Sequence, residues 1–307
     1  MADIQVKPPH ELSPYPFGLL SVAQVTEHPE SDDHWARWTA HQFDSDAFAL
    51  RLLTVLDEDV TDGELYNGRG KSRFLEYYPF GIEVEDWAST YSLPAQDRFA
   101  RVKRILECTT SKAVERELWG GYAAQQSSNG NSYFTQGGDS PAVDVTVGTN
   151  GDNPKVALAR LEGALAQCPS GQHGTIHMTR RMGSLLADEI DRLDYMARLD
   201  ASDTYQKGQS LITHIGTPVV VGTGYTGEGP VGAGADAAVT DTSEWMFATG
   251  YVDVDLGAIK VVNEDLSRAI TVSSNTNDVR IKAVRTAAVH FEPCCHYAVR
   301  VDYSATV

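Results

Sequence analysis

Four places in the 307-residue sequence carry residue types that could do chemistry. His173 and His177 have the four-residue spacing of helical zinc motifs, but Gly174-Thr175-Ile176-His177 reads as a short buried strand, and Gly174 disfavours helix. In a strand, residues four apart lie about 13 Å apart, too far to share one zinc at about 2 Å per bond. Cys294-Cys295-His296 is the densest ligand cluster. A zinc site wants a second, separated pair, and strand neighbours point to opposite faces, so it reads as two small apolar residues at a strand start. Asp253 and Asp255 could form a carboxylate pair for metal or acid–base work, but they also match the solvent face of an alternating strand, which is far commoner. The run from Gly222 to Gly229 invites a phosphate-loop reading. No Gly-Lys-Ser/Thr and no helix start follow it, and Glu228 would repel the ligand, so it reads as a flexible surface loop.

No Gly-x-Ser-x-Gly elbow occurs, and no Gly-x-Gly-x-x-Gly follows a first strand with an acid downstream. No catalytic, cofactor-binding or metal-ligating residue is assigned, no cofactor is expected, and the chain reads as a non-enzyme. Trp35, Trp38, Trp87, Trp119 and Trp245 are spread out as core or interface anchors.

The bulk properties agree. An apolar fraction of 42% excludes wholesale disorder. The 25 basic and 42 acidic residues leave a net charge of −17, which argues against a chain whose main task is gripping nucleic acid. No span approaches the ~20 apolar residues of a membrane helix, and Met1-Ala2-Asp3 opens no secretory signal. Four cysteines make no disulfide framework. Cys108 and Cys168 stand alone, as in a reducing compartment or as small core residues.

The elements that must position these residues follow an unusual order. Residues 1–45, with scattered prolines, read as an extended arm carrying one short helix around Asp32 to Gln42. Such an arm has little core of its own and lies on something else, a neighbouring subunit included. Phe48, Leu50 and Leu52 begin an ambiguous outgoing element. A turn-rich tip with Asn67-Gly68-Arg69-Gly70-Lys71 follows, and Phe80, Ile82 and Val84 mark the returning strand. Pro94 opens a helix of about 26 residues and 39 Å, with Phe99, Val102, Leu106, Thr109 and Ala113 recurring, which stops at Gly120-Gly121. Val143 to Val147 is a short strand. Asn153 and Pro154 start a second helix with the stripe Leu158, Leu161, Leu165 and Cys168. Thr179 caps a third, with Met182, Leu185, Leu186, Ile190 and Leu193 on one face. From Ser210 the chain turns to β: Val219 to Val221, the Gly-rich stretch to Ala237, Trp245 to Leu256 as a strand pair or long strand, and Tyr297 to Tyr303.

An arm, a two-way loop with a basic tip, a long helix, an α+β block and terminal strands, in that order, resemble the major capsid protein of tailed bacteriophages, the HK97-like fold. The wording of several segments is similar to virion proteins of actinobacterial phages. They are Pro16-Phe17-Gly18-Leu19-Leu20, Arg98-Phe99-Ala100-Arg101, Ala113 to Gly121, Gly174 to His177 and Gly216 to Tyr225.

The resemblance implies an α+β capsid fold. It places an N-terminal arm at 1–45, an extended β-hairpin loop at 46–92 and the spine helix with the first part of a peripheral domain at 93–153. An axial domain at 154–240 and returning strands at 241–307 complete it. It also implies self-assembly into hexamers and pentamers that form an icosahedral shell around DNA without sequence-specific binding, and an acidic inner wall that repels the DNA. The partners implied are copies of the chain itself, with decoration, portal or scaffolding proteins and no membrane. The location is the virion capsid, assembled in the host cytoplasm. Arg69, Lys71 and Arg73 would pair with acids on a neighbour. A cross-link from Lys71 to Asn275 or Asn277 lacks an assisting acid and is not assigned. A minor head or tail protein, an encapsulin-like shell and an acidic cytoplasmic enzyme are the competing readings.

Overall fold

A computed structural model describes residues 15–28, 38–42, 73–89, 95–127, 132–137, 141–148, 150–168, 174–198, 205–262, 271–273, 278–292 and 295–304. Two large sheets and one long helix organise them.

The first sheet is built on a 14-residue strand. Following chain order, β1 is Gln24–His28, β2 Trp38–Gln42, β3 Arg73–Tyr77 and β4 Phe80–Ser89. The long helix α1 is Ala95–Gly120, 26 residues that end at the predicted glycine stop, and a short α2, Tyr122–Ser127, continues it. β11 (Val252–Gly257), β12 (Lys260–Val262) and β13 (Thr271–Ser273) lie in succession along β14 (Asp278–Phe291), which pairs with β4 from Asp278 to Ala287. β1 joins the edge in parallel with β11. β2 and β3 form a separate antiparallel pair. The short helix expected to reach Gln42 is therefore corrected over residues 38–42, where pairing with β3 makes a strand. Residues 43–72, which hold the expected outgoing element and the loop tip, lie outside the described residues.

The second sheet has seven strands in the order β5-β15-β10-β6-β9-β8-β7. Its members are β5 (Val143–Asp144), β6 (Thr175–Thr179), β7 (Ile190–Arg198), β8 (Tyr205–Thr213), β9 (Pro218–Gly222), β10 (Ser243–Thr249) and β15 (Tyr297–Asp302). The helices of this part are α3 (Pro154–Ala166) and α4 (Arg180–Leu185). Asn153 caps α3 by accepting from the Lys155 amide at 3.0 Å, and Thr179 caps α4 by accepting from the Met182 amide at 3.2 Å, as their sequence positions predict. The predicted third helix nevertheless ends at Leu185. Ile190 and Leu193, assigned to its apolar face, belong to β7, whose pairing with β8 overrides the helical spacing.

Residues of β6, β9, β10 and β15 are buried on both faces of this sheet. Trp245, Phe247, Val220 and Ala298 enter one core with α1 and the first sheet. Met246, Ala248, Val219, Val221, Val299 and Val301 enter a second core with Leu158, Leu161 and Leu165 of α3. The sheet is thus a wall shared by two cores, which is why Val219 to Val221 of β9 and Trp245 to Ala248 of β10 read as continuous apolar runs. Within α1 the buried stripe runs Val102, Leu106, Thr110, Val114 and Leu118, while Thr109 and Ala113 are only half-buried.

Candidate functional site

Three distant parts of the chain meet at Glu115, in the last third of α1. Glu115 sits on the inward face, fully buried. Its Oε1 accepts from the Leu19 amide at 2.9 Å and from the Ser111 hydroxyl at 2.9 Å. Its Oε2 accepts from the amides of Thr223 and Gly224 at 2.7 and 2.8 Å and from the Thr223 hydroxyl at 3.2 Å. One carboxylate therefore ties the N-terminal segment and the Gly-rich segment to the helix. Charge-assisted bonds of this kind are stronger than neutral ones, and a buried carboxylate without them would be costly.

This arrangement corrects the reading of the Gly-rich run as a flexible surface loop. Gly222, Gly224, Tyr225, Gly227 and Gly229 are buried, and only Thr226 and Glu228 are exposed. Gly224 lies so close to α1 that a side chain there would strike the Lys112 carbonyl and Glu115. Gly227 has φ +82°, a backbone conformation glycine adopts without strain. Tyr225 is buried, the Trp119 indole donates to the Glu228 carbonyl at 3.0 Å, and the Trp245 indole donates to the Asp236 carbonyl at 2.9 Å. Amides that could have cradled a phosphate are occupied by the protein's own carboxylate. At about 100° per residue Glu115 falls opposite the Val102, Leu106 and Ala113 stripe, so no local sequence signal marks it as buried.

Beside it lies an aromatic cluster. Trp119 meets Tyr225 at 4.7 Å and Phe247 at 4.9 Å between ring centroids, and Phe134 stacks on Phe247 at 5.3 Å. His177 of β6 is fully buried against Phe134, its Nδ1 at 2.9 Å from the Tyr225 hydroxyl and its Nε2 at 2.9 Å from the Thr249 hydroxyl. Burial, with the nearby His296, holds its pKa down to about 3, so it is a neutral hydrogen-bonding core residue at pH 7. At the end of α1, buried Glu117 accepts from the Ala123 and Ala124 amides at 2.6 and 3.0 Å, capping α2. Burial raises its pKa, and the two amides partly offset that.

The remaining sequence-predicted groups separate. Cys168, expected to stand alone, is joined to Cys295 by a disulfide with Cα atoms 5.6 Å apart, tying the end of α3 to the start of β15 across 127 residues. This corrects the reading of both as simple core residues. Cys108 is a free, half-buried thiol. His296 is buried against Phe291 at 4.8 Å. Asp255 is buried and bonded to His28 Nε2 at 2.9 Å, and Asp253 faces His290 Nε2 at 3.2 Å, so neither is the plain solvent-facing acid expected. Their separate histidine partners also leave no shared acid–base pair. His173, Cys294, Arg69 and Lys71 lie outside the described residues. Arg73 opens β3 opposite Gln42. Among the described residues no group of three or more His, Cys, Asp or Glu side chains gathers as metal ligands, and no helix is long and apolar enough to cross a membrane.

Among the described residues, the carboxylates of Glu115 and Glu117 accept from the chain's own amides, and His177 is bonded to Tyr225 and Thr249. No protein-family model matches the chain, and no curated protein sequence matches it. Its fold does have counterparts among solved structures. The capsid of an empty GTA particle matches with a TM-score of 0.55 at 11% identity, over 98% of this chain and 95% of that one. The fold is a capsid fold. The capsid of the native GTA particle matches over 98% and 96% of the two chains, at a TM-score of 0.54 and 12% identity. The capsid resemblance therefore holds at the level of the fold, with mixed α and β elements as expected.

Proposed function

We propose that the chain is the shell-forming subunit of a virus capsid of the HK97-like class, assembling as hexamers and pentamers into an icosahedral container for DNA in the host cytoplasm. The observation that carries this reading is the whole-chain correspondence to a capsid subunit, with 98% of this chain and 95% of that one aligned. A match confined to one sheet would have left the activity to the rest of the chain. The scaffold-like use of buried polar residues supports a structural, non-enzymatic role.

In this reading residues 1–45 are the arm, 46–92 the extended loop, and 93–153 the spine helix with the first part of the peripheral domain. Residues 154–240 form the axial domain and 241–307 the returning strands. Arg69, Lys71 and Arg73 pair with acids of a neighbouring subunit, setting register more than affinity. The partners are other copies of the chain, joined by decoration, portal or scaffolding proteins.

Sedimentation velocity on the chain expressed alone, with negative-stain imaging of each peak, tests the proposal. Closed particles, or free hexamers and pentamers, are the expected result. A monomer or dimer that stays small under crowding overturns it and moves the enzyme or binding-module reading to first place.

A further inference from the structure

The bridge between Cys168 and Cys295 joins two parts of the molecule that are held very differently. Cys295 precedes His296, whose ring packs among Phe134, Phe247 and Phe291 and whose carbonyl accepts from the Val143 amide at 2.9 Å. Cys168 closes the last turn after α3, its amide donating to the Leu165 carbonyl at 3.0 Å. The polar ties of α3 gather toward its other end. Asn153 caps it, Lys155 pairs with Glu189, Arg160 pairs with Asp152 at 2.8 Å, and Glu162 accepts from the hydroxyls of Thr213 and Thr217 at 2.6 Å each. Beyond Glu162 the helix reads Gly163-Ala164-Leu165-Ala166, which has no polar side chain to continue those ties. Gly163 is exposed, and glycine is a poor helix former. Apolar packing by Ala164 and Leu165, with the sulfur bridge, holds this end.

We infer that Cys168 and Cys295 are a redox latch on the C-terminal end of α3, open as two thiols in a reducing cell and closed by glutathione disulfide, or another small-molecule disulfide, once the protein leaves it. Closing is thiol–disulfide exchange. The Cys168 thiolate attacks glutathione disulfide and releases one glutathione, and Cys295 then displaces the second from Cys168. One S–S bond breaks and one forms. The two cysteines give up two electrons and two protons, which leave on two glutathione molecules, and excess glutathione runs the same steps backwards.

Burial makes this pair a latch rather than an open redox couple. Cys168 is 6% exposed and Cys295 1%, so an external thiol reaches the closed bond only when the helix end opens. The Cα atoms stand 5.6 Å apart, a separation that closes without backbone movement. The latch also reconciles a bridged pair with a chain made in a reducing compartment, where disulfides are rare. The change of compartment rests on the capsid reading, and the exchange chemistry does not.

The test uses the full chain with Cys108→Ser and Cys294→Ser, so that the pair alone remains. It is equilibrated with glutathione or with glutathione disulfide. Acid quench, alkylation and mass spectrometry count the thiols, and amide hydrogen exchange maps opening. If the serines disturb folding, the bridged peptide of the wild-type digest is followed instead. The folded chain should carry two thiols in glutathione and none in glutathione disulfide. Closing should slow exchange at residues 163–168 at least about tenfold and shift α1 by less than about twofold. Dithiothreitol should open the native bridge at least about a hundredfold more slowly than the bridge of the guanidinium-unfolded chain. Gly163→Ala, whose added Cβ meets open space, should slow exchange at the reduced end about three- to fivefold while both thiols stay free.

A bridge that survives glutathione in the folded chain, a reduced chain that does not fold, or equal slowing in α1 and α3 overturns the inference. Sedimentation velocity is run on both forms. A chain that stays small in both, with the exchange contrast intact, sinks the capsid reading alone. Shells without that contrast sink the latch alone.

Discussion

On the α1 side of the seven-stranded sheet, the core is aromatic and is crossed by buried polar groups: Glu115 with five bonds, His177 with two, and the Trp119 and Trp245 indoles on backbone carbonyls. On the α3 side, the core is aliphatic and is closed by one covalent link, Cys168 to Cys295. The wall between them is the same. A hydrogen bond to a buried carboxylate has a direction and a required partner, so the α1 side fixes where the arm and the Gly-rich segment run. An aliphatic core is tolerant of detail, and the disulfide limits how far it can open. One side specifies geometry, and the other resists separation.

The largest expected effect is on the polar side. Glu115→Ala strands the buried amides of Leu19, Thr223 and Gly224 and should cost about 5 kcal/mol in chemical denaturation, each orphaned donor contributing about 1–3 kcal/mol. A loss below about 1 kcal/mol would erase the contrast between the two cores. Next comes the pH dependence of His177. Its folded pKa lies below its unfolded one, so the unfolded state takes up the proton first. Stability is full above about pH 6.5 and falls as pH drops toward 3, by up to about 4 kcal/mol. His177→Gln should flatten that part of the profile, and an unchanged slope would assign acid sensitivity to other groups.

Cutting the covalent tie is expected to matter less. Cys168→Ser, or reduction, should lower stability by about 2–4 kcal/mol and raise amide exchange in α3 more than in α1. Equal exchange in both helices would mean that the two cores open as one. The smallest effect is at the α3 cap, where Asn153→Ala should cost about 1 kcal/mol by thermal melt.

What could be read from the sequence divides along the same wall. The caps of α3 and α4, the Leu158, Leu161 and Leu165 stripe, the length of α1 and the alternation of Tyr297–Asp302 are local signals, and local physics places them. The features that the sequence did not disclose are long-range. Glu115 is one acid among many helix charges until Leu19, 96 residues away, and Gly224, 109 residues away, arrive beside it. Trp38–Gln42 becomes a strand because β3 lies alongside, and Ile190–Arg198 because β8 does. Cys168 and Cys295 look unrelated in a sequence where nothing local joins α3 to β15. The capsid resemblance was legible because it rested on the order of elements, which survives even where single pairings are misjudged.

The shared wall also bears on how the fold carries load. Close-packed interiors are nearly incompressible. A sheet that fills both cores has no solvent gap to absorb displacement, so a push on α1 reaches α3 through Trp245, Phe247, Met246 and Ala248 of a single strand. Under pressure from one side, this part of the molecule should flex as a plate, with its two faces moving together, rather than fold about a hinge.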